Sequence, residues 1–311
     1  MNRQPRQYLT EDNFFNDVRV FMKTIPNSRP LHLDDLPKFS SWIPNIFEFN
    51  SIQIAKKNVT NILREYGEDK WGALQKQILA NPDVTVVDAD SLFLGESKPS
   101  AYYLGGLYLA SSTDVQEAYY RLILNEVLPH IVAAGHLVEL GAGYGSQLLK
   151  IAALPELSHA GFTAGEYTKT GVDCIKLLAE RQSLLHVNAV QCDLNSLNLS
   201  SFAIPSRAVF MTCWTMAYLK GFPRSAIEEI LRKKPSMVIH VEPIFEHWSN
   251  SSLLHLMWKK YVKINDYNQT FMTELKEYET AGAIKIIEER PHVFGPNPLA
   301  PVSIVKWVPC E

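Results

Sequence analysis

HLVELGAGYGS, residues 136–146, sets the frame for the whole chain. Leu137-Val138-Glu139-Leu140 is a short apolar run broken by one carboxylate, the form of a buried strand. Gly141-Ala142-Gly143-Tyr144-Gly145 follows at once, and Ser146–Ala152 has helical spacing. Strand, glycine turn and helix in that order let backbone N–H groups approach a ligand closely. The flanking elements lift this triplet of glycines above a simple connecting turn.

Two nucleotide readings compete at this turn. A dinucleotide fingerprint has the spacing G-x-G-x-x-G, but Ser146 stands where its third glycine would fall. E-L-G-A-G-Y-G, residues 139–145, resembles instead the first motif of the class I S-adenosylmethionine-dependent methyltransferases, D/E-x-G-x-G-x-G. The resemblance covers roughly Thr113–Val308. It implies a Rossmann-like, doubly wound α/β fold: a seven-stranded sheet with an antiparallel last strand. It also implies S-adenosyl-L-methionine as cofactor, with Gly141, Ala142, Gly143 and Gly145 against its methionine part and Glu139 helping to hold its cationic end. A mainly helical arm or lid, residues 1–112, is expected ahead of the methyltransferase domain, residues 113–311.

Composition narrows the remaining classes. Of 311 residues, 46% are hydrophobic and 20% charged, as in a globular protein with an adequate core. A net charge of −3 argues against a nucleic-acid partner, which needs a basic face. No apolar run reaches the roughly 18 residues of a membrane span, and the N-terminus lacks the apolar core of a signal peptide. Cys174, Cys192, Cys213 and Cys310 have neither CxxC nor metal-ligand spacing, so no metal is expected and a cytoplasmic, reducing setting fits. A homodimer is compatible with all of this.

Helical spacing predicts helices over Glu11–Lys23, Ser51–Tyr66 and Lys70–Leu79, with prolines breaking the first fifty residues into an arm. Tyr102, Tyr103 and Tyr108 surround Gly105-Gly106 and suit either an active-site loop or core packing. A helix from Thr113 to Leu128 is expected to be capped by Thr113 or Asp114 and ended by Pro129. Beyond the glycine turn, strands are predicted at Gly161–Gly165, His186–Gln191, Arg207–Thr212 and Met237–Val241, then Ile284–Glu289 and Val302–Val308. Glu166 lies 21 positions after Gly145, where a carboxylate can accept bonds from ribose hydroxyls. Asp193 is the base-edge residue by resemblance, or a turn starter. Trp214 follows the fourth strand, at the end where open α/β sheets bind ligands.

The acceptor side falls beyond the fourth and fifth strands. There His240–His247 packs Glu242, Glu246 and two histidines into eight positions. Glu242 with Glu246 would hold an amine or guanidinium, whereas His247 or Glu242 as general base would serve a hydroxyl. A core role for His240 is the plain alternative. The function expected is methyl transfer to a small polar metabolite such as an amino acid, sugar or natural product. The alternative is a catalytically silent protein of the same fold that binds the cofactor or serves as a scaffold.

Overall fold

The computed structural model describes residues 25–47, 59–95, 97–200 and 202–310. The helix expected at Glu11–Lys23, and the start of that expected at Ser51–Tyr66, lie outside the described residues. Seven strands form one sheet: β4 (His136–Leu140), β5 (Gly161–Glu166), β6 (Val187–Gln191), β7 (Val209–Cys213), β8 (Met237–Glu242), β9 (Ile284–Phe294) and β10 (Val302–Pro309). Their order is β6-β5-β4-β7-β8-β10-β9. β4 to β8 pair in parallel, and β10 runs antiparallel to both neighbours. This is the doubly wound arrangement with a reversed last strand.

The parallel strands are apolar because both of their faces are covered. One face packs on the helices Ser112–Ala134, Ser146–Ala152 and Lys169–Arg181, with Leu137, Phe162, Val209 and Ile239 pointing into that core. The other meets the helices Arg224–Arg232 and Phe271–Thr280 through Val138, Phe210, Val238 and Trp307. Chain order reverses between β4 and β7, which opens a crevice at their carboxyl ends.

The segment before residue 112 holds more than helices. β1 (Arg29–Pro30), β2 (Pro99–Tyr103) and β3 (Leu107–Ser111) make a small antiparallel sheet in the order β1-β3-β2. Tyr102 and Tyr103 are core residues there: Tyr102 stacks on Tyr108 and reaches Ser28 Oγ at 2.6 Å, and Tyr103 meets Trp258 edge-on. The helix Val59–Ile62 widens into i→i+5 turns over Leu63–Lys70 before Trp71–Ala80 resumes the α-helical form.

Two boundaries differ from the sequence expectation. The helix starts at Ser112, capped by Ser111, and runs through Pro129 to Ala134, where Gly135 turns left-handed and ends it. Ile131, beyond the proline, is fully buried, and tertiary packing of that last turn outweighs the local cost of the ring. β9 continues five residues past Glu289 through Pro291, because Val302 and Ile304 of β10 keep pairing with Phe294 and Arg290.

Ser111 Oγ accepts the Asp114 N–H at 3.0 Å. Ser111→Ala is therefore expected to lower unfolding free energy by about 1 kcal/mol, read as a lower urea midpoint at unchanged slope.

Candidate active site

Gly141 and Gly143 carry φ of +77° and +60°, the left-handed region that favours glycine. The turn's N–H groups are consumed internally. Gly141 and Ala142 both donate to the Gly165 carbonyl at 2.7 and 3.0 Å, and Gly145 donates to the Ala142 carbonyl at 2.8 Å. Gly143 donates to Glu166 Oε2 at 3.0 Å. At these four positions the N–H groups fold the turn onto β5 and onto itself.

What the turn presents instead is acceptors. Glu139 is buried at the end of β4, with Oε2 lacking any hydrogen-bond partner, and Gln147 Oε1 on the next helix is equally unpaired. Burial pushes the Glu139 carboxyl up to about 8 against the opposing Leu148 amide, and nearby Glu166 adds to the rise. Such a carboxyl is a strong attractor for an arriving cation. At positions 141, 142, 143 and 145 a pyrophosphate would meet no spare amide, with Glu139 and Glu166 beside them, which disfavours the dinucleotide reading.

The other cofactor candidates fall around the same crevice. Glu166 is buried and spends Oε1 on the Thr168 N–H and hydroxyl at 2.9 and 2.7 Å, so its main visible task is to tie β5 to the turn. Oε2, which accepts the Gly143 N–H, retains lone-pair capacity for a further donor. Asp193 accepts from Asn195 N at 2.9 Å and starts a short turn, while lining an open cavity of about 460 Å³ with Gln191, Asn198 and Phe202. Trp214 sits at φ +52°, a sparsely populated conformation for a bulky residue, and marks strain at the end of β7.

The expected acceptor residues are not brought together. Glu242 is 1% exposed and its Oε1 accepts the Thr215 N–H at 2.9 Å, while Oε2 has no hydrogen-bond partner. Burial pushes it up to about 7, opposed by the amides of residues 215–217 and the Thr212 hydroxyl. Glu246 turns away: it accepts from Met272 N and Thr273 N at 3.3 and 2.9 Å and caps the helix Phe271–Thr280. Helix N-terminal amides are a ready carboxylate partner, which the spacing within 240–247 does not reveal. His247 has both ring nitrogens engaged, Nδ1 with Ser303 Oγ at 2.8 Å and Nε2 with Glu289 at 2.9 Å. His240 is a core residue, bonded to Thr212 and Trp307. Among the described residues, no group of three His, Cys, Asp or Glu could hold a metal ion.

Residues with no local sequence signal complete the site. A Cβ on Gly141 would land on the Thr215 side chain, and one on Gly143 would lie 3.1 Å from the Trp71 ring. Trp71 is packed on Tyr144, with ring centroids 5.0 Å apart, and its indole nitrogen lacks a partner. The segment carrying it is latched to the next crossover helix by Thr170 Oγ1, which donates to the Gly67 carbonyl at 2.7 Å. Tyr66 meets Tyr218 edge-on at 5.4 Å, and Tyr218 meets Tyr267 at 5.2 Å, so rings from three distant segments close the acceptor side.

With strand order, crevice and glycine turn in place, the architecture can be named. The fold is that of the class I methyltransferases. No protein-family model matches the sequence, and no curated protein matches it either. Similar solved structures include the magnesium protoporphyrin IX methyltransferase of Synechocystis PCC 6803 with bound SAH. It has 11% identity and TM-score 0.49, over 80% of this chain and 97% of that one. An O-methyltransferase from neocarzinostatin biosynthesis, in complex with S-adenosylmethionine and 2-hydroxy-5-methyl naphthoic acid, gives 12% and 0.41, over 78% and 68%. A (4+2)-cyclase gives 15% and 0.45, over 63% and 83%.

The raised Glu139 carboxyl has a consequence for stability. Between the ordinary carboxylate range and about pH 8 the folded chain holds a proton that the unfolded chain has released, so stability falls as pH rises through that window. Glu139→Gln should remove this part of the fall, up to about 1.4 kcal/mol per pH unit. Chemical denaturation at pH 6 and pH 8.5 checks it: the gain of the variant over wild type should be larger at pH 8.5.

Proposed function

We propose that the crevice binds S-adenosyl-L-methionine and that the protein transfers its methyl group to a small polar metabolite. The observation that carries this reading is the acceptor-lined glycine turn: unpaired Glu139 Oε2 and Gln147 Oε1 beside a turn with no N–H left to offer at positions 141, 142, 143 and 145. That lining suits a ligand bearing cationic groups and repels a phosphate. The residues therefore fit the cofactor, with Glu139 toward its ammonium, the Gly141–Gly145 backbone along its methionine part, Glu166 toward the ribose and Asp193 toward the base. When bound, the cofactor supplies an electrophilic methyl on a sulfonium.

The chain's own contribution is alignment and exclusion of water. Trp71 and Tyr66 close over the turn from one side, and the Trp214–Tyr218 loop closes from the other. An in-line displacement gains most from such fixed geometry. Tyr218 and Tyr267, with Tyr261 behind them, give the acceptor side aromatic faces, which suits a small molecule. Glu242, not a Glu242–Glu246 pair, is the carboxyl left to face an amine or hydroxyl acceptor, because Glu246 and His247 are held elsewhere.

Calorimetry should show binding of S-adenosylmethionine and S-adenosylhomocysteine and none of NAD. Glu139→Ala should weaken both by about 1.5–3 kcal/mol, or about ten- to over a hundredfold in Kd. Labelled-methyl transfer to a panel of amines, sugars and phenols then tests the activity. NAD binding, or unchanged affinity in Glu139→Ala, would contradict the assignment.

A further inference from the structure

Trp71 stands against the glycine turn with its one polar side-chain atom unused. It is 8% exposed, and its indole nitrogen is buried without a hydrogen-bond partner. A buried tryptophan usually finds an acceptor for that N–H, because an unpaired donor forfeits the hydration it had in water. Trp258 and Trp307 follow the rule: both are fully buried, and they donate to the Pro298 carbonyl at 2.8 Å and to His240 Nε2 at 2.9 Å. Trp248 also has an unpaired indole nitrogen, but it lies in a different apolar cluster, beside Trp258.

The groups packed around Trp71 are engaged elsewhere. Its ring meets Tyr144, Phe93 and Tyr66 at centroid distances of 5.0, 5.1 and 5.8 Å. The Tyr144 hydroxyl donates to Asp90 Oδ1 at 2.7 Å, and Lys150 donates to Asp90 Oδ2 at 2.8 Å. Cys174 Sγ reaches the main-chain carbonyl of Trp71, not the ring. The side of the ring nearest the turn is the one that carries the nitrogen. A Cβ placed on Gly143 would lie 3.1, 3.6 and 3.7 Å from Cζ2, Cη2 and Cε2, and Nε1 is bonded to Cε2.

An unpaired donor and two unpaired acceptors thus flank one turn, the acceptors being Glu139 Oε2 before it and Gln147 Oε1 after it. A ligand that satisfies both kinds carries a cation and an anion close together, as the end of an α-amino acid does. Its ammonium has hydrogens for the two acceptors. Its carboxylate finds no free amide at positions 141, 142, 143 and 145, where the N–H groups are spent. An indole N–H can only donate, and an anionic oxygen is its strongest partner.

We propose that Trp71 is a ligand-binding residue whose indole N–H donates to the carboxylate of the cofactor's amino-acid end, while Glu139 takes the ammonium. The proposal rests on the reading of the crevice as an S-adenosylmethionine site, and adds that the site reads that end as a zwitterion. A nucleoside thioether that keeps the amine and lacks the carboxylate is then a poor ligand.

Calorimetry with two probes tests it: S-adenosylhomocysteine and its decarboxylated counterpart. The wild-type protein should bind S-adenosylhomocysteine about tenfold or more tightly than the counterpart. Trp71→Phe keeps a ring against Gly143 and removes the donor. It should weaken S-adenosylhomocysteine by about tenfold or more and leave the counterpart nearly unchanged, whereas a merely structural role would weaken both alike. The second readout is the indole N–H resonance of Trp71 in protein carrying isotope-labelled tryptophan, recognised by its contacts with the Tyr144 ring. It needs no variant, should Trp71→Phe fold poorly. That resonance should move downfield with S-adenosylhomocysteine and stay near its free position with the counterpart. Equal affinity of the wild-type protein for the two probes, equal weakening of both in Trp71→Phe, or an unmoved resonance with S-adenosylhomocysteine bound would overturn the proposal and leave the crevice reading intact. No binding of either probe by the wild-type protein would overturn both.

Discussion

Two hydrogen bonds from Gly141 and Ala142 to the carbonyl of Gly165 govern how this site works. Together with the Gly143–Glu166 and Gly145–Ala142 bonds they consume the donors at positions 141, 142, 143 and 145, and the unpaired oxygens of Glu139 and Gln147 stand beside them as acceptors. Glu139 sits at the head of the glycine turn in a desolvated position where the Leu148 amide supports its charge and Oε2 is unpaired. A buried carboxyl with an unpaired oxygen costs stability, and a site that tolerates it gains affinity for a cation. The strand order follows the same logic. β4 lies at the reversal point of the sheet, so its carboxyl end opens onto a crevice rather than onto another crossover.

A second set of restraints holds the opposite wall. The Trp214–Tyr218 loop is bound to the sheet through Glu242 and to the glycine turn through Thr215. Trp214 keeps a left-handed backbone there, a conformation that persists only where surrounding contacts over-determine it. The N-terminal segment closes the third side, with Trp71 against the turn and Thr170 latching Gly67. Its i→i+5 turns at Leu63–Lys70 place Tyr66 toward Tyr218, where regular helical spacing would turn the side chain to a different angle.

The sheet was legible in the sequence because buried parallel strands are near-continuous apolar runs and the glycine turn is local. Glu139 and Glu166 could be singled out as candidates for the same reason, since each stands at the carboxyl end of a strand. Pro129 misled because the penalty of a proline is local whereas the burial of Ile131 that outweighs it is not. Glu246 and His247 misled because proximity in sequence is not proximity of side chains. One is drawn to amides at 272–273 and the other to Ser303 and Glu289. The place of Trp71 against the turn and the bond from Thr215 to Gly141 leave no trace in any window of sequence, because each depends on segments far apart in the chain. The small β1-β3-β2 sheet was hidden for a related reason: its first strand is two residues long and carries no alternation.

The central claim is that Glu139, held protonated by burial, meets the cationic end of S-adenosylmethionine. Calorimetry at pH 7 in two buffers of different ionisation enthalpy measures the protons exchanged on binding. The account predicts release of about 0.4 to 0.9 proton per ligand bound, because an arriving cation pulls Glu139 from about 8 to below 7, and it predicts that this release disappears in Glu139→Gln. Binding with no proton release, or release that persists unchanged in Glu139→Gln, would contradict it.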